Sequence, residues 1–239
     1  MEDQILIATE RLVKHYPMGK HLFTALNDIT ITFKSREFTG LVGPSGSGKT
    51  TLLNIIGALD SPTRGLVRVM GQDTGTLSHK QAARLRSIYL GFTFQTYNLL
   101  PVYTVYENVE FPLLLLDMAP AQRKKAVLQA LEWVGLMDKQ KSRPSQLSGG
   151  ESQRVSIARA MVKAPKIVLA DEPTANLDAA NSHNILQMMI KLNEELGTTF
   201  IFASHDDKVI GYLKRKITLT DGKVVEDARM DLPEGRNTC

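Results

Sequence analysis

The segment Gly43 to Thr50, reading GPSGSGKT, joins glycines, hydroxyls and one lysine in a spacing that suits phosphate. Gly43, Gly46 and Gly48 reach backbone conformations closed to residues with a Cβ. The loop of Gly43, Pro44, Ser45, Gly46, Ser47 and Gly48 can therefore turn its N–H groups inward around phosphate oxygens. Lys49 supplies a point charge to the β- and γ-phosphates, the Thr50 hydroxyl is placed to ligate Mg²⁺, and Thr51 continues into the following helix. One unit charge pair at about 4 Å contributes roughly 4 kcal/mol at a near-surface effective dielectric, and each phosphate adds further oxygens. The chemistry is nucleoside triphosphate binding, with ATP and Mg²⁺ as the expected ligands.

Other residues extend that chemistry. Asp171 and Glu172 follow the apolar run Ile167 to Ala170. Asp171 can hold the Mg²⁺ that Thr50 touches, commonly through water, while Glu172 can orient and deprotonate an attacking water. A solvated strand end also carries such residues, but the phosphate loop upstream favours the catalytic reading. His205, in FASHD after another apolar run, can place an imidazole beside the γ-phosphate. A lone histidine is more often a surface or packing residue; its place one strand after the acidic pair reverses that. Gln95 ends GFTFQ, where its amide can reach the metal or the water. Tyr16 can stack on adenine, against the alternative of a half-buried edge-strand tyrosine. A second Gly-Gly segment, LSGGE, puts Ser148, Gly149, Gly150 and Glu151 ahead of a helix, a further phosphate-facing terminus. His15, His21, His79 and His183 lack metal-ligand spacing and read as surface residues.

These side chains need strand ends and helix starts to hold them. Phe38 to Val42 reads as a buried strand before the loop, and Thr51 to Leu59 as the helix after it. Ile5 to Glu10 and Ile29 to Phe33, separated by the turn-prone PMGK, alternate like antiparallel strands, and Val67 to Gly71 is a further strand ending in a turn. From Leu77 to Lys141 the periods are helical, interrupted by a β-rich stretch at Ile88 to Gln95; Leu128, Leu131, Val134 and Gly135 fall at helix spacing. Pro144 closes this lobe, and LSGGE opens a helix through Val162. Ile167 to Ala170 is a central parallel strand, followed by a helix at Ala180 to Leu196, a strand at Thr199 to Ala203 and a strand pair around Asp221–Gly222. The fold expected is α/β: a P-loop NTPase with a mainly parallel core sheet, an N-terminal antiparallel β subdomain and an α-helical lobe. One domain over 1–239 is expected, with the lobe inserted at about 96–163.

Composition excludes several classes. With 43% hydrophobic and 23% charged residues over 239 positions, the chain has ordinary globular balance. The net charge of +4, from 29 basic and 25 acidic residues, is scattered and forms no nucleic-acid arm. The longest apolar stretch, Phe111 to Leu116, is far short of the roughly 20 residues that span a bilayer. MEDQILIATERL shows no signal-peptide pattern, and the single cysteine, Cys239, excludes an internal disulfide and suits a reducing cytosol.

Tyr16, GPSGSGKT, Gln95, LSGGE, LADEP, NLD and His205, in this order over nearly the whole chain, resemble the ATP-binding cassette of ABC transporters. NLLPVYTVYENVEFPLLL after Gln95 is similar to the lipoprotein-release and macrolide-export branch, with its LolD-, MacB- and FtsE-type ATPases. The resemblance implies two copies dimerised head to tail, so that Ser148, Gly149 and Gly150 of one grip the γ-phosphate held by the other, with Asp178 at the interface. It implies an integral membrane permease docked near the Gln95 loop and the lobe, and a cytoplasmic place on the inner face of the membrane. Glu151 stands where glutamine is common, and Thr96 and Tyr97 depart from the branch pattern. Alternatives are a soluble cassette of the iron–sulfur assembly type, a cargo-free mechanotransmission ATPase and a regulatory P-loop module; Glu172 and His205 argue against the last.

Overall fold

The computed structural model describes residues 4–230; Cys239 and the first three residues lie outside them. Strands β1 (Ile5–Met18) and β2 (His21–Lys34) form a long hairpin with Met18 opposite His21, and β4 (Arg64–Val69) and the short β5 (Gln72–Asp73) extend it antiparallel. Both hairpin strands run well beyond the two short strands read from sequence. Register shifts between Thr9 and Lys14, with Arg11 and Asp28 at positive φ, interrupt the two-residue alternation and hide the continuity.

The second sheet has the order β10-β9-β3-β8-β7-β6. Strands β3 (Phe38–Val42), β6 (Leu90–Thr93), β7 (Ile167–Asp171), β8 (Thr199–Ser204) and β9 (Arg215–Thr220) are parallel, and only β10 (Lys223–Arg229) pairs antiparallel at the edge. The central strands are apolar throughout because both faces are covered. Ile167, Leu169, Ile201 and Ala203 join a cluster with the β1–β2 hairpin and α1 (Lys49–Ile56). Val168, Ala170, Phe200 and Phe202 join the opposite cluster, with α5 (Gly149–Met161) and α6 (Ala179–Leu196). Phe38 anchors that side, 4.5 Å from Phe202 and 5.8 Å from Phe200 between ring centres; truncating such a buried phenylalanine costs about 3–5 kcal/mol.

Helix α1 starts two residues earlier and stops three earlier than its sequence pattern suggests, because Gly57 caps it and packs against Phe92, where a Cβ would come within 2.8 Å. Helix α2 (His79–Tyr89) opens on a Ser78–Gln81 capping box and leads directly into β6. Helices α3 (Val105–Glu110) and α4 (Pro120–Trp133) pack on α5, with Val105, Val109, Val127, Leu131 and Val134 buried together. Asn108, fully buried at the start of this group, holds the preceding loop by hydrogen bonds to the carbonyls of Leu100, Tyr103 and Thr104. α7 (Asp207–Ile210) follows β8. Consequently the carboxyl ends of β3, β7 and β8 lie side by side, the place where open α/β sheets bind ligands.

Candidate nucleotide site

A cavity of about 450 Å³ opens at those strand ends, lined by the phosphate loop, Gln95, Asp171, Glu172 and His205. Leaving β3, the chain adopts φ of 146° at Gly43, 78° at Gly46 and 103° at Gly48. Gly48 is confined as well as left-handed: a Cβ there would lie 2.6 Å from the Ala25 carbonyl oxygen and 2.8 Å from Leu26. The loop is backed by the β9–β10 turn, whose Gly222 N–H donates to the Ser47 carbonyl at 3.1 Å. Lys49, only 7% exposed, donates through Nζ to the carbonyls of Gly43 and Pro44 at 2.7 and 2.9 Å. Burial lowers its pKa, and the charges of Glu172 and Asp171 oppose that fall.

The acidic pair sits directly beneath. Thr50 Oγ1 donates to Asp171 Oδ1 at 3.1 Å, which ties the first residues of α1 to the end of β7. Burial raises the Asp171 pKa; Thr50 lowers it, Glu172 repels a second charge and Lys49 draws it back. Glu172 has φ of 48°, a left-handed backbone uncommon for a side-chain-bearing residue, fixed by its N–H bond to the Ala203 carbonyl. Its carboxylate is held on both oxygens: His205 Nδ1 lies 2.6 Å from Oε1, and Ser204 Oγ donates to Oε2 at 3.1 Å. Glu172 is largely buried while His205 is exposed to the cavity mouth.

These residues fit the ligands that the sequence implies. A hydroxyl and a carboxylate in contact, beside a phosphate-shaped loop, are the hard oxygen donors that Mg²⁺ takes in small number while retaining phosphate and water ligands. Ser47 Oγ, buried in the loop, has no hydrogen-bond partner among the described residues, as suits a cradle built for an anion. Gln95 lines the cavity, and its carbonyl accepts from Asn176 Nδ2 at 2.9 Å, joining this loop to the segment after Glu172.

Two groups of sequence-derived residues are not in the lining of that cavity. Tyr16 is not part of its lining; the phenol donates to Asp60 Oδ2 at 2.7 Å, and Lys14 Nζ stands 4.8 Å from the ring centre. Burial raises the Tyr16 pKa, and Asp60 reinforces the rise. Phe23, its cross-strand partner, lines the cavity with an exposed ring, together with Ala25. Pairing opposite Tyr16 across PMGK was the signal that could have found Phe23; Ser204 was available as the neighbour of His205. The segment of Ser148, Gly149, Gly150 and Glu151 is also absent from the lining. It forms a complete capping box: the Glu151 N–H donates to Ser148 Oγ at 3.2 Å, and the Ser148 N–H donates to Glu151 Oε2 at 2.7 Å. Lys139 closes on the other Glu151 oxygen at 3.1 Å, and these contacts hold that carboxyl below its usual pKa. Ser148 and Gly149 remain exposed.

A family model described as ABC transporter matches residues 26–175. The macrolide export ATP-binding/permease protein MacB of Burkholderia thailandensis is 42% identical over 222 residues, 93% of this chain and 34% of that protein. MacB of Acinetobacter baylyi is 42% identical over 234 residues, 98% of this chain and 35% of that protein. The chain thus spans about a third of the length of the curated relatives it matches. Among solved structures, the dimeric post-hydrolysis state of the ATP-binding cassette MJ0796 bound to ADP and Pi superimposes with a TM-score of 0.87. It is 40% identical, covering 94% of this chain and 99% of that one. The chain therefore belongs to the ABC transporter family, and it is an ATP-binding cassette with the ATPase fold.

Proposed function

We propose that this cassette hydrolyses ATP in a head-to-tail dimer of two copies and thereby drives a membrane permease of the export type. The observation that carries the reading is the split: the phosphate loop, Lys49, Gln95, Asp171, Glu172 and His205 line one cavity, while Ser148 and Gly149 are exposed elsewhere. The N-terminus of α5 carries partial positive charge on an exposed face, and in this reading it meets the nucleotide of a second molecule. In this reading the loop N–H groups and Lys49 hold the triphosphate, and Tyr16 or Phe23 meets the base. Glu172 accepts the proton of the attacking water, and His205 and Ser204 keep its carboxylate aimed. Thr50, Asp171 and Gln95 would hold Mg²⁺, which would supply positive charge to offset that of the triphosphate.

No helix among the described residues is long and apolar enough to cross a membrane. A groove of about 310 Å³ between β6 and the segment after α3, walled by Phe94, Phe111, Pro112 and Leu115, supplies a seat for a permease helix. Phe111 and Leu115 expose a substantial part of their apolar surface there. Docked so, the cassette works on the cytoplasmic face of the inner membrane. The relatives' name, macrolide export, makes drugs of that class the first cargo to test, and the branch resemblance adds peptides, lipids and lipoproteins. Sedimentation of the Glu172→Gln chain with ATP tests the assembly. A dimer that forms with ATP and is abolished by Ser148→Arg is expected; a monomer at saturating ATP opposes the proposal.

A further inference from the structure

The groove just described is apolar on its walls and cationic at its base. Arg159 and Lys163 lie four residues apart at the end of α5, and both line the groove. Arg159 donates from its two terminal nitrogens to the carbonyls of Asn98 and Tyr97, each at 2.6 Å. Lys163 donates to the Arg86 carbonyl at 2.6 Å, closing the carboxyl end of α2, while Arg86 reaches back to the Ala58 carbonyl. Every polar contact of these three cations thus goes to a neutral carbonyl oxygen. Among the described residues none of them forms an ion pair with a carboxylate. Other clustered cations of this protein are compensated: Arg215 by Glu37 and Asp227, Arg123 by Glu110, Lys214 by Glu194.

Desolvated cations without an anion are costly, and helix carboxyl ends offset only part of that cost. The Lys163 pKa falls to about 8 through burial and the neighbouring charge of Arg86. An ammonium in that state gains from a carboxylate brought to it, because the pair offsets the desolvation of a charge that meets only neutral carbonyls. An apolar wall with such a base selects an apolar segment bearing one acid.

Resting on the permease reading above, we infer that the partner helix seated in this groove presents a glutamate or aspartate to Lys163, and that this pair selects the partner. The apolar walls supply contact area, and the carboxylate fixes orientation and register, since charge-assisted hydrogen bonds are stronger than neutral ones.

Three capped amphipathic helical peptides provide the test, identical in their leucine- and phenylalanine-rich face and differing at one central position: Glu, Gln or Lys. Binding of each to the full chain is followed by fluorescence anisotropy. The Glu peptide is expected to bind about tenfold or more tightly than the Gln peptide. Lys163→Met should erase that preference while leaving affinity for the Gln peptide and basal ATP turnover unchanged. Lys163→Glu should reverse the order and favour the Lys peptide. Equal binding of the Glu and Gln peptides, or a preference that survives Lys163→Met, overturns the inference and leaves the docking surface standing. No binding by any peptide, or binding indifferent to Leu115→Glu, overturns the docking surface itself.

Discussion

The two phosphate-facing regions of this chain are built in opposite ways. The loop of Gly43 to Thr50 is confined and charged: its three glycines have positive φ, Gly43 and Gly48 lie against neighbouring backbone, and Lys49, Asp171 and Glu172 crowd beneath it. The segment of Ser148 to Glu151 is a self-satisfied helix cap, with its serine and glutamate bonded to each other's backbone and its front exposed. Confined backbone and a buried lysine beside two carboxylates mark a region that has a ligand of its own to grip. The exposed cap at Ser148 and Gly149 grips nothing in its own chain's cavity. On the proposed reading, it completes the site of a second copy.

Substitutions at the two regions should therefore fail differently. Glu172→Gln should lower ATP turnover by about 10²–10⁴-fold while ATP still binds, because it removes the proton acceptor and keeps the shape. Steady-state phosphate release and nucleotide-binding titration measure the two properties separately. Gly48→Ala should strike ATP binding itself: φ of 103° and the Ala25 carbonyl 2.6 Å away make any Cβ strained, at about 1–3 kcal/mol. Thermal melts with and without nucleotide would show lost stability and a lost nucleotide-induced shift. Ser148→Ala, at the other region, should cost only about 1 kcal/mol of stability through the cap and leave monomer affinity for ATP intact. If it weakened ATP binding by the isolated monomer, the contrast between the regions would break.

Smaller effects sharpen the picture. Phe23→Ala should reduce ATP affinity more than Tyr16→Ala, because the Phe23 ring lines the cavity whereas the Tyr16 hydroxyl is bonded to Asp60. Adenosine-phosphate titrations of the two variants decide which ring meets the base. The smallest effect concerns Lys163, whose folded pKa of about 8 lies below its ordinary value of 10.5. Between those values the unfolded chain holds a proton that the folded chain has released. Stability contributed through this group therefore rises with pH across that window, and below about pH 8 the folded state carries the full cost of the buried charge beside Arg86. Denaturant titrations at pH 7 and pH 9.5 should show wild type gaining on Lys163→Met.

Much of this was legible in the chain because local rules and global fold agree. The run Ile167 to Ala170 before Asp171–Glu172 reads as a strand buried on both faces, and it is one, its residues dividing between the two clusters. The LSGGE helix start was equally plain, since a capping box is a contact between near neighbours. What escaped was non-local. The full length of β1 and β2 is hidden by register shifts that break the alternation. Phe23 faces the cavity through a cross-strand pairing, and Tyr16 turns to Asp60, a residue 44 positions away. Arg159, whose guanidinium holds the chain after Gln95 from 61 and 62 positions downstream, carries no motif at all.

The division of the reaction centre between copies is tested most directly by mixing two inactive chains, Glu172→Gln and Ser148→Arg, and measuring phosphate release. A mixed dimer restores one site in which the intact Glu172 of one copy faces the intact Ser148 of the other. Turnover well above the sum of the separate chains, rising to a maximum near equal amounts, is the predicted result. A mixture no more active than its components, beside a wild-type rate strictly proportional to chain concentration down to the monomer range, would contradict it.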